Sequence, residues 1–71
     1  MLKEEYRIVQ FGNKFVVQAR SSFFGEWEGV EPKTPFRYRW NQVKHMMQYC
    51  ALDSLEEAIV LRDSLVVKVV G

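Results

Sequence analysis

The chain has 71 residues, of which 48% are hydrophobic and 14% aromatic. This composition excludes an intrinsically disordered protein, because disordered chains are polar and poor in aromatic residues, and it predicts one small domain over residues 1–71. The formal net charge of +1 argues against general binding of polyanions. A single cysteine excludes an intrachain disulfide, and without a long apolar run we expect a cytoplasmic protein with neither an export signal nor a membrane span.

A β-hairpin is the first element that the sequence predicts. Two β-rich runs, Glu5–Phe11 and Lys14–Arg20, flank Gly12-Asn13, a two-residue loop typical of tight hairpin turns. Because such a turn fixes the strand register, we expect the pairing to extend from Phe11 opposite Lys14 to Glu5 opposite Arg20.

The predicted hairpin has two unlike faces, since successive side chains of a strand point to opposite sides. One face is mainly apolar, and we predict it to face the core. The other mixes charged side chains with an apolar patch, and we predict that it is open for a partner. The core face carries Tyr6, Ile8, Phe15, Val17 and Ala19, and the open face carries Val9, Phe11 and Val16 among its polar residues.

A third strand is expected around Glu26–Val30, after a turn at Gly25. The segment Pro32–Pro35 then interrupts the sheet pattern, because proline removes a backbone donor and fixes φ.

Two interpretations compete for residues 36–49. Alternation over Phe36–Trp40 indicates a strand, but it lasts only five residues. Helical spacing places Phe36, Trp40, Val43, Met47 and Cys50 on one stripe, with Thr34 as N-cap and Pro35 as the first helical residue. We favour the helix.

A second helix is expected from about Ser54 to Arg62. Asp53 or Ser54 would cap it, and Ser54-Leu55-Glu56-Glu57 has the spacing of a capping box, with both glutamates at the positive end of the dipole. Its predicted buried side carries Leu55, Ala58, Ile59 and Leu61. The apolar, β-branched run Leu65–Val70 is predicted as a final strand. The fold class is therefore α+β, an antiparallel sheet built on an N-terminal hairpin with one or two helices and a C-terminal strand.

The supply of catalytic and metal-binding residues is poor. In the helical interpretation, His45 and Cys50 lie about 140° apart around the helix axis, so they cannot form a Cys-His dyad. We expect His45 to face solvent and Cys50 to be a core residue. One cysteine and one histidine do not make a zinc site, and no glycine-rich phosphate loop is present. We therefore expect neither catalysis nor a cofactor.

Two surfaces are candidates for binding a macromolecule. An apolar set on the open hairpin face and the following segment would contact a protein partner, the alternative being full burial within the chain. A basic and aromatic set would stack on bases and bind phosphates, the alternative being core anchors beside a solvated face. The first set is Val9, Phe11, Val16, Phe23, Phe24 and Trp27; the second is Arg37, Tyr38, Arg39 and Lys44.

The order of the motifs resembles the short accessory proteins encoded by tailed bacteriophages and prophages. The residues concerned are Tyr6–Val9, Lys14–Gln18, Phe24–Trp27 and Asp53–Ala58, whereas the segment from Pro32 to Ala51 departs from the pattern as an insertion. The resemblance implies a protein that binds and redirects a host protein, and it implies no particular site.

Three hypotheses of function follow. The leading one is a non-catalytic module that binds a host or viral protein. The alternative is a small nucleic-acid-binding domain using residues 33–45, whose order of sheet and helix is loosely similar to the arm-binding domains of phage integrases. A structural or homo-oligomeric protein is the third. We also expect self-association through an edge strand, either Leu65–Val70 or the first hairpin, because unpaired apolar strands favour pairing.

Overall fold

A computed structural model describes residues 4–21, 25–34 and 36–66 of the chain. Over these residues the fold is an antiparallel sheet with two helices, which confirms the α+β class and the sheet built on the N-terminal hairpin. The strands lie in the order β1-β2-β3-β4. The elements are β1 (Glu5–Phe11), β2 (Lys14–Arg20), β3 (Glu28–Val30), β4 (Arg37–Arg39), a 3₁₀ turn (Trp40–Gln42), α1 (Val43–Cys50) and α2 (Leu55–Val66).

The hairpin has the predicted register at every position, from Phe11 opposite Lys14 to Glu5 opposite Arg20. Gly12 has a φ of 62°, in the left-handed region that glycine adopts without steric cost. Asn13 has a negative φ, so the glycine occupies the first central position, as in a type II′ turn. The turn residues therefore set the register of the longest strand pair.

Both faces of β2 are covered, which corrects the prediction that one face of the hairpin is open. Val16 and Gln18 lie on one face, here called the α1 face, and are 0% and 3% exposed. The other face is also buried at Val17 and Ala19. Helix α1 packs on the α1 face, where Met46 contacts Gln18. Helix α2 contacts both strands of the hairpin.

Residues 37–39 form a strand and not the first turn of a helix. Arg37–Arg39 pairs with β3, and the Phe36 carbonyl accepts a hydrogen bond from the Glu31 amide at 3.1 Å. Thr34 Oγ1 does accept a local hydrogen bond, from the Phe36 amide at 3.2 Å, but this bond precedes a strand. The helix preference was wrong here because pairing with β3 outweighs the local helical spacing.

The predicted apolar stripe becomes helical only from Val43. Within α1 the buried residues are Met46 and Cys50, whereas Val43 is 46% exposed. Phe36, at the start of the predicted stripe, is 64% exposed. The stripe is therefore divided among the residue before β4, the 3₁₀ turn and α1.

Leu52 joins the sheet between the two helices, because its amide and carbonyl exchange hydrogen bonds of 2.7 and 2.9 Å with Phe15 of β2. Ser54 then caps α2, since its Oγ accepts a hydrogen bond from the Glu57 amide at 3.2 Å. The Glu57 carboxylate accepts a hydrogen bond from the Asp53 amide at 3.1 Å. In the predicted capping box this bond would come from the Ser54 amide, one residue later. The cap was predicted correctly as one of two alternatives.

Helix α2 is longer than predicted and reaches Val66. The predicted C-terminal strand is therefore wrong at Leu65 and Val66, which are helical, and the remainder of that strand lies outside the described residues. Ala58 is buried as expected, but Leu55 is 48% exposed.

Among the described residues, no helix has the length and apolar character needed to cross a membrane.

Candidate interaction surface

The cluster beneath α1 is structural. Val16, Met46 and Cys50 form a buried core cluster, against which Phe11, Tyr38 and Met47 pack. Burial, with a smaller contribution from the Glu31 carboxylate, raises the pKa of the Cys50 thiol to about 12. The thiol is therefore protonated at neutral pH, whereas nucleophilic attack or metal binding would need the thiolate.

The remaining chemical candidates are dispersed. His45 is exposed, as predicted, and lies on the solvent side of α1. Over the ranges that the structure describes, no three histidine, cysteine or acidic side chains lie close enough together to hold a metal ion. A groove of about 710 Å³ along α2 is lined by apolar residues such as Pro32, Leu52 and Val60 and also by the helix-start residues Glu56 and Glu57.

The apolar set predicted for a protein partner does not form one open surface. Val16 is wholly buried and Phe11 packs against the core cluster, so both contribute to folding. Val9 and Trp27 are half-buried and keep part of their surface exposed. Phe23 and Phe24 lie outside the described residues. The prediction of a partner surface that includes Val16 was wrong, because α1 covers it.

The basic and aromatic set predicted for nucleic acid is divided by the sheet. Arg37 is held by Glu4, whose carboxylate accepts hydrogen bonds of 2.6 and 3.0 Å from the guanidinium. Tyr38, on the opposite face, stacks on Tyr49 with ring centroids 5.6 Å apart and donates its hydroxyl hydrogen to Glu31. Its ring therefore has little surface left for a base.

Arg39 and Lys44, the other two members of that set, are exposed. Arg39 is on the sheet face opposite Tyr38, because neighbouring residues of a strand point to opposite sides, and Lys44 is on α1. The structure thus does not bring the aromatic and basic members of the set together.

The outer edge of β1 is a site of a different kind, made of backbone groups. Phe15 directs its amide and carbonyl away from β1, towards Leu52, so the pair that it forms with Gln10 is not hydrogen-bonded. Because hydrogen-bonded and non-hydrogen-bonded pairs alternate along an antiparallel pair, Tyr6, Ile8 and Gln10 all direct their amides and carbonyls outward. Within the described part of the chain, nothing pairs with these groups.

Within the described residues, the β1 edge has few of the features that usually prevent pairing with another strand. It is seven residues long and contains no proline and no lysine, and its register with β2 has no bulge. The opposite edge, β4, has only three residues. The sheet therefore offers its longest and least protected edge at β1.

A charged and aromatic cluster lies beside this edge on the α1 face. The guanidinium carbons of Arg7 and Arg20 lie 4.1 and 4.7 Å from the centre of the Trp27 ring. Arg7 donates its Nε hydrogen to Gln18 at 2.8 Å, and Arg20 donates its own to Glu5 at 2.5 Å. We call Trp27, Arg7 and Arg20 the Trp27 cluster.

No described residue accepts a hydrogen bond from the Nη atoms of Arg7 or Arg20. Stacking on an indole ring restrains a guanidinium and removes water from one of its faces, which favours recognition of a carboxylate. Sequence register predicts the Arg7–Gln18 and Glu5–Arg20 neighbours, but it did not predict the position of Trp27.

Comparison with known proteins does not assign the chain to a family. No protein-family model matches the chain, and searches of curated proteins and of solved structures find no significant match. The resemblance to phage accessory proteins therefore stays a prediction.

Proposed function

We propose that the chain is a non-catalytic interaction module that binds another protein. A strand of that partner protein pairs with the outer edge of β1. The observation that carries the proposal is the uninterrupted row of outward amides and carbonyls at Tyr6, Ile8 and Gln10. In strand addition, backbone hydrogen bonds supply affinity and alternate side chains supply specificity.

The Trp27 cluster supports an acidic partner strand. Arg7 is on β1 itself, and a side chain directly opposite it on an added strand would have its Cβ about 4.5–5.5 Å away. An aspartate or glutamate there reaches the Nη atoms of Arg7 and forms a charge-assisted hydrogen bond. The partner strand is thus extended, with an acidic residue opposite Arg7 and apolar residues beside Val9 and Ile8.

The resemblance to phage accessory proteins supports a host or viral protein in the bacterial cytoplasm as the partner. Non-catalytic action is supported by the protonated Cys50 thiol and by the separation of His45 from it on α1. Nucleic acid is the weaker alternative, since Arg37 and Tyr38 are engaged within the chain.

A matched pair of substitutions at Gln10 tests strand addition. Gln10→Pro removes the outward amide, whereas Gln10→Ala retains it, and both lose the same side-chain hydrogen bond to the Gly12 carbonyl. Because the amide is not bonded to β2, proline is compatible with this edge position. We expect the alanine variant to retain a protein from a nuclease-treated bacterial lysate and the proline variant to lose it, as measured by affinity capture and mass spectrometry.

Circular dichroism of both variants verifies that the fold is intact. Equal capture by the two variants would show that the backbone of β1 is not the binding site. Loss of all captured protein on nuclease treatment would instead support binding through nucleic acid.

A further inference from the structure

We infer that, in the protein on its own, the β1 edge is occupied by β1 of a second copy, in an antiparallel pair with a two-fold axis at Tyr6. This inference rests on the proposed function, strand addition at β1, and it names the strand that the edge accepts. A partner protein would then replace the second copy.

The register follows from the charges on the α1 face of β1. A two-fold axis at Arg7 would set two guanidiniums opposite each other, which is unfavourable. Registers further along the strand set Arg7 opposite Val9 or Phe11, where it gains no partner. An axis at Tyr6 sets Arg7 of each copy opposite Glu5 of the other, so two ion pairs form at once.

Both members of that ion pair are available. The Nη atoms of Arg7 donate to no residue that the structure describes, and its Nε is fixed by Gln18 at 2.8 Å. The Glu5 side chain is 54% exposed and uses Oε1 for Arg20, while Oε2 accepts no hydrogen bond from any residue that the structure describes. The strand is therefore complementary to itself in charge.

The backbone fits the same register. With the axis at Tyr6, the outward amide and carbonyl of Tyr6 meet those of Tyr6 in the second copy, forming a hydrogen-bonded pair. Two four-stranded sheets become one continuous sheet, with α1 on the same side in both copies.

Charge exchange tests the register directly. Glu5→Arg gives a strand with arginine at both positions and Arg7→Glu gives one with glutamate at both, so neither pairs with itself. Light scattering should show the 8.4 kDa monomer for each single variant and twice that mass for the natural chain. The double variant Glu5→Arg/Arg7→Glu should again form a dimer, and so should an equimolar mixture of the two single variants.

Circular dichroism verifies that each variant folds. Arg7→Glu is expected to fold because the Gln18 side-chain amide can donate a hydrogen bond to a glutamate at position 7. If Arg7→Glu does not fold, two substitutions at Glu5 test the register instead. Glu5→Gln should weaken the dimer, and Glu5→Arg should abolish it. A monomeric natural chain at high micromolar concentration, or dimeric single variants, would overturn the inference. Neither result changes the outcome of the Gln10 capture experiment, because the substitutions at positions 5 and 7 leave the backbone amide of Gln10 in place.

Discussion

Replacing Val16 by lysine is expected to unfold the protein. Val16 is 0% exposed and packs with Met46 and Cys50 beneath α1, so a lysine there would bury a charge without a partner. Such a change costs more than about 4 kcal/mol, whereas a core in a domain this small supplies only ~3–5 kcal/mol of stability. Loss of the native circular dichroism spectrum and of cooperative thermal unfolding would be the measured result.

Val60→Lys is the matched control, because the same substitution is made at a side chain that is 68% exposed. Surface substitutions change stability by about 0.5 kcal/mol or less. A lysine there also lies four residues after Glu56, a spacing that favours an ion pair on a helix. A folded Val16→Lys variant with normal stability would mean that α1 does not cover the α1 face.

The second large effect is expected at the contact between β3 and α1. Met46 is 1% exposed, and Met46→Ala should lower the free energy of unfolding by about 2–5 kcal/mol. Gly29→Ala should lower it by about 1–3 kcal/mol, because the added Cβ would lie 2.5 Å from Met46 Cγ and 2.9 Å from Sδ.

The two losses should not add. Once Met46→Ala has removed the clashing atoms, Gly29→Ala should lower the free energy of unfolding by less than it does in the natural chain. Urea unfolding should show this coupling, measured at low temperature in sucrose, which stabilises the folded state of the weakened variants. Gly12→Ala is the control: it is strained by a φ of 62° but has no atom within 4 Å, so its cost should be the same in both backgrounds. Additive losses at Gly29 would contradict the close approach of Met46.

The sequence predicted local features of the fold better than long-range ones. Gly12-Asn13 sets the hairpin register and Ser54 caps α2, because both depend on residues a few positions away. The division of residues 36–49 into strand and helix depends instead on pairing with β3, which local spacing does not report. The burial of Val16 was missed for the same reason, since it requires α1 to cross above β2.

The candidate site was harder to predict than the fold. Backbone groups at a sheet edge leave no signature in side-chain composition, and the order of strands decides which strand is the edge. The contact of Arg7 and Arg20 with Trp27 likewise joins residues from β1, from β2 and from the segment just before β3. Residue types alone therefore predicted apolar patches as the binding surface, whereas the structure points to hydrogen-bonding groups beside a charged cluster.

Residue-resolved amide hydrogen exchange of β1 tests the central claim most directly. In dilute protein, the amides of Arg7 and Val9, bonded to β2, should exchange slowly, and those of Tyr6 and Ile8 should exchange fast. Concentrating the protein should slow exchange at Tyr6 and Ile8 while leaving Arg7 and Val9 unchanged. If Tyr6 and Ile8 are already protected at the lowest concentration, or remain fast when the protein associates, the outer edge of β1 is not the binding surface.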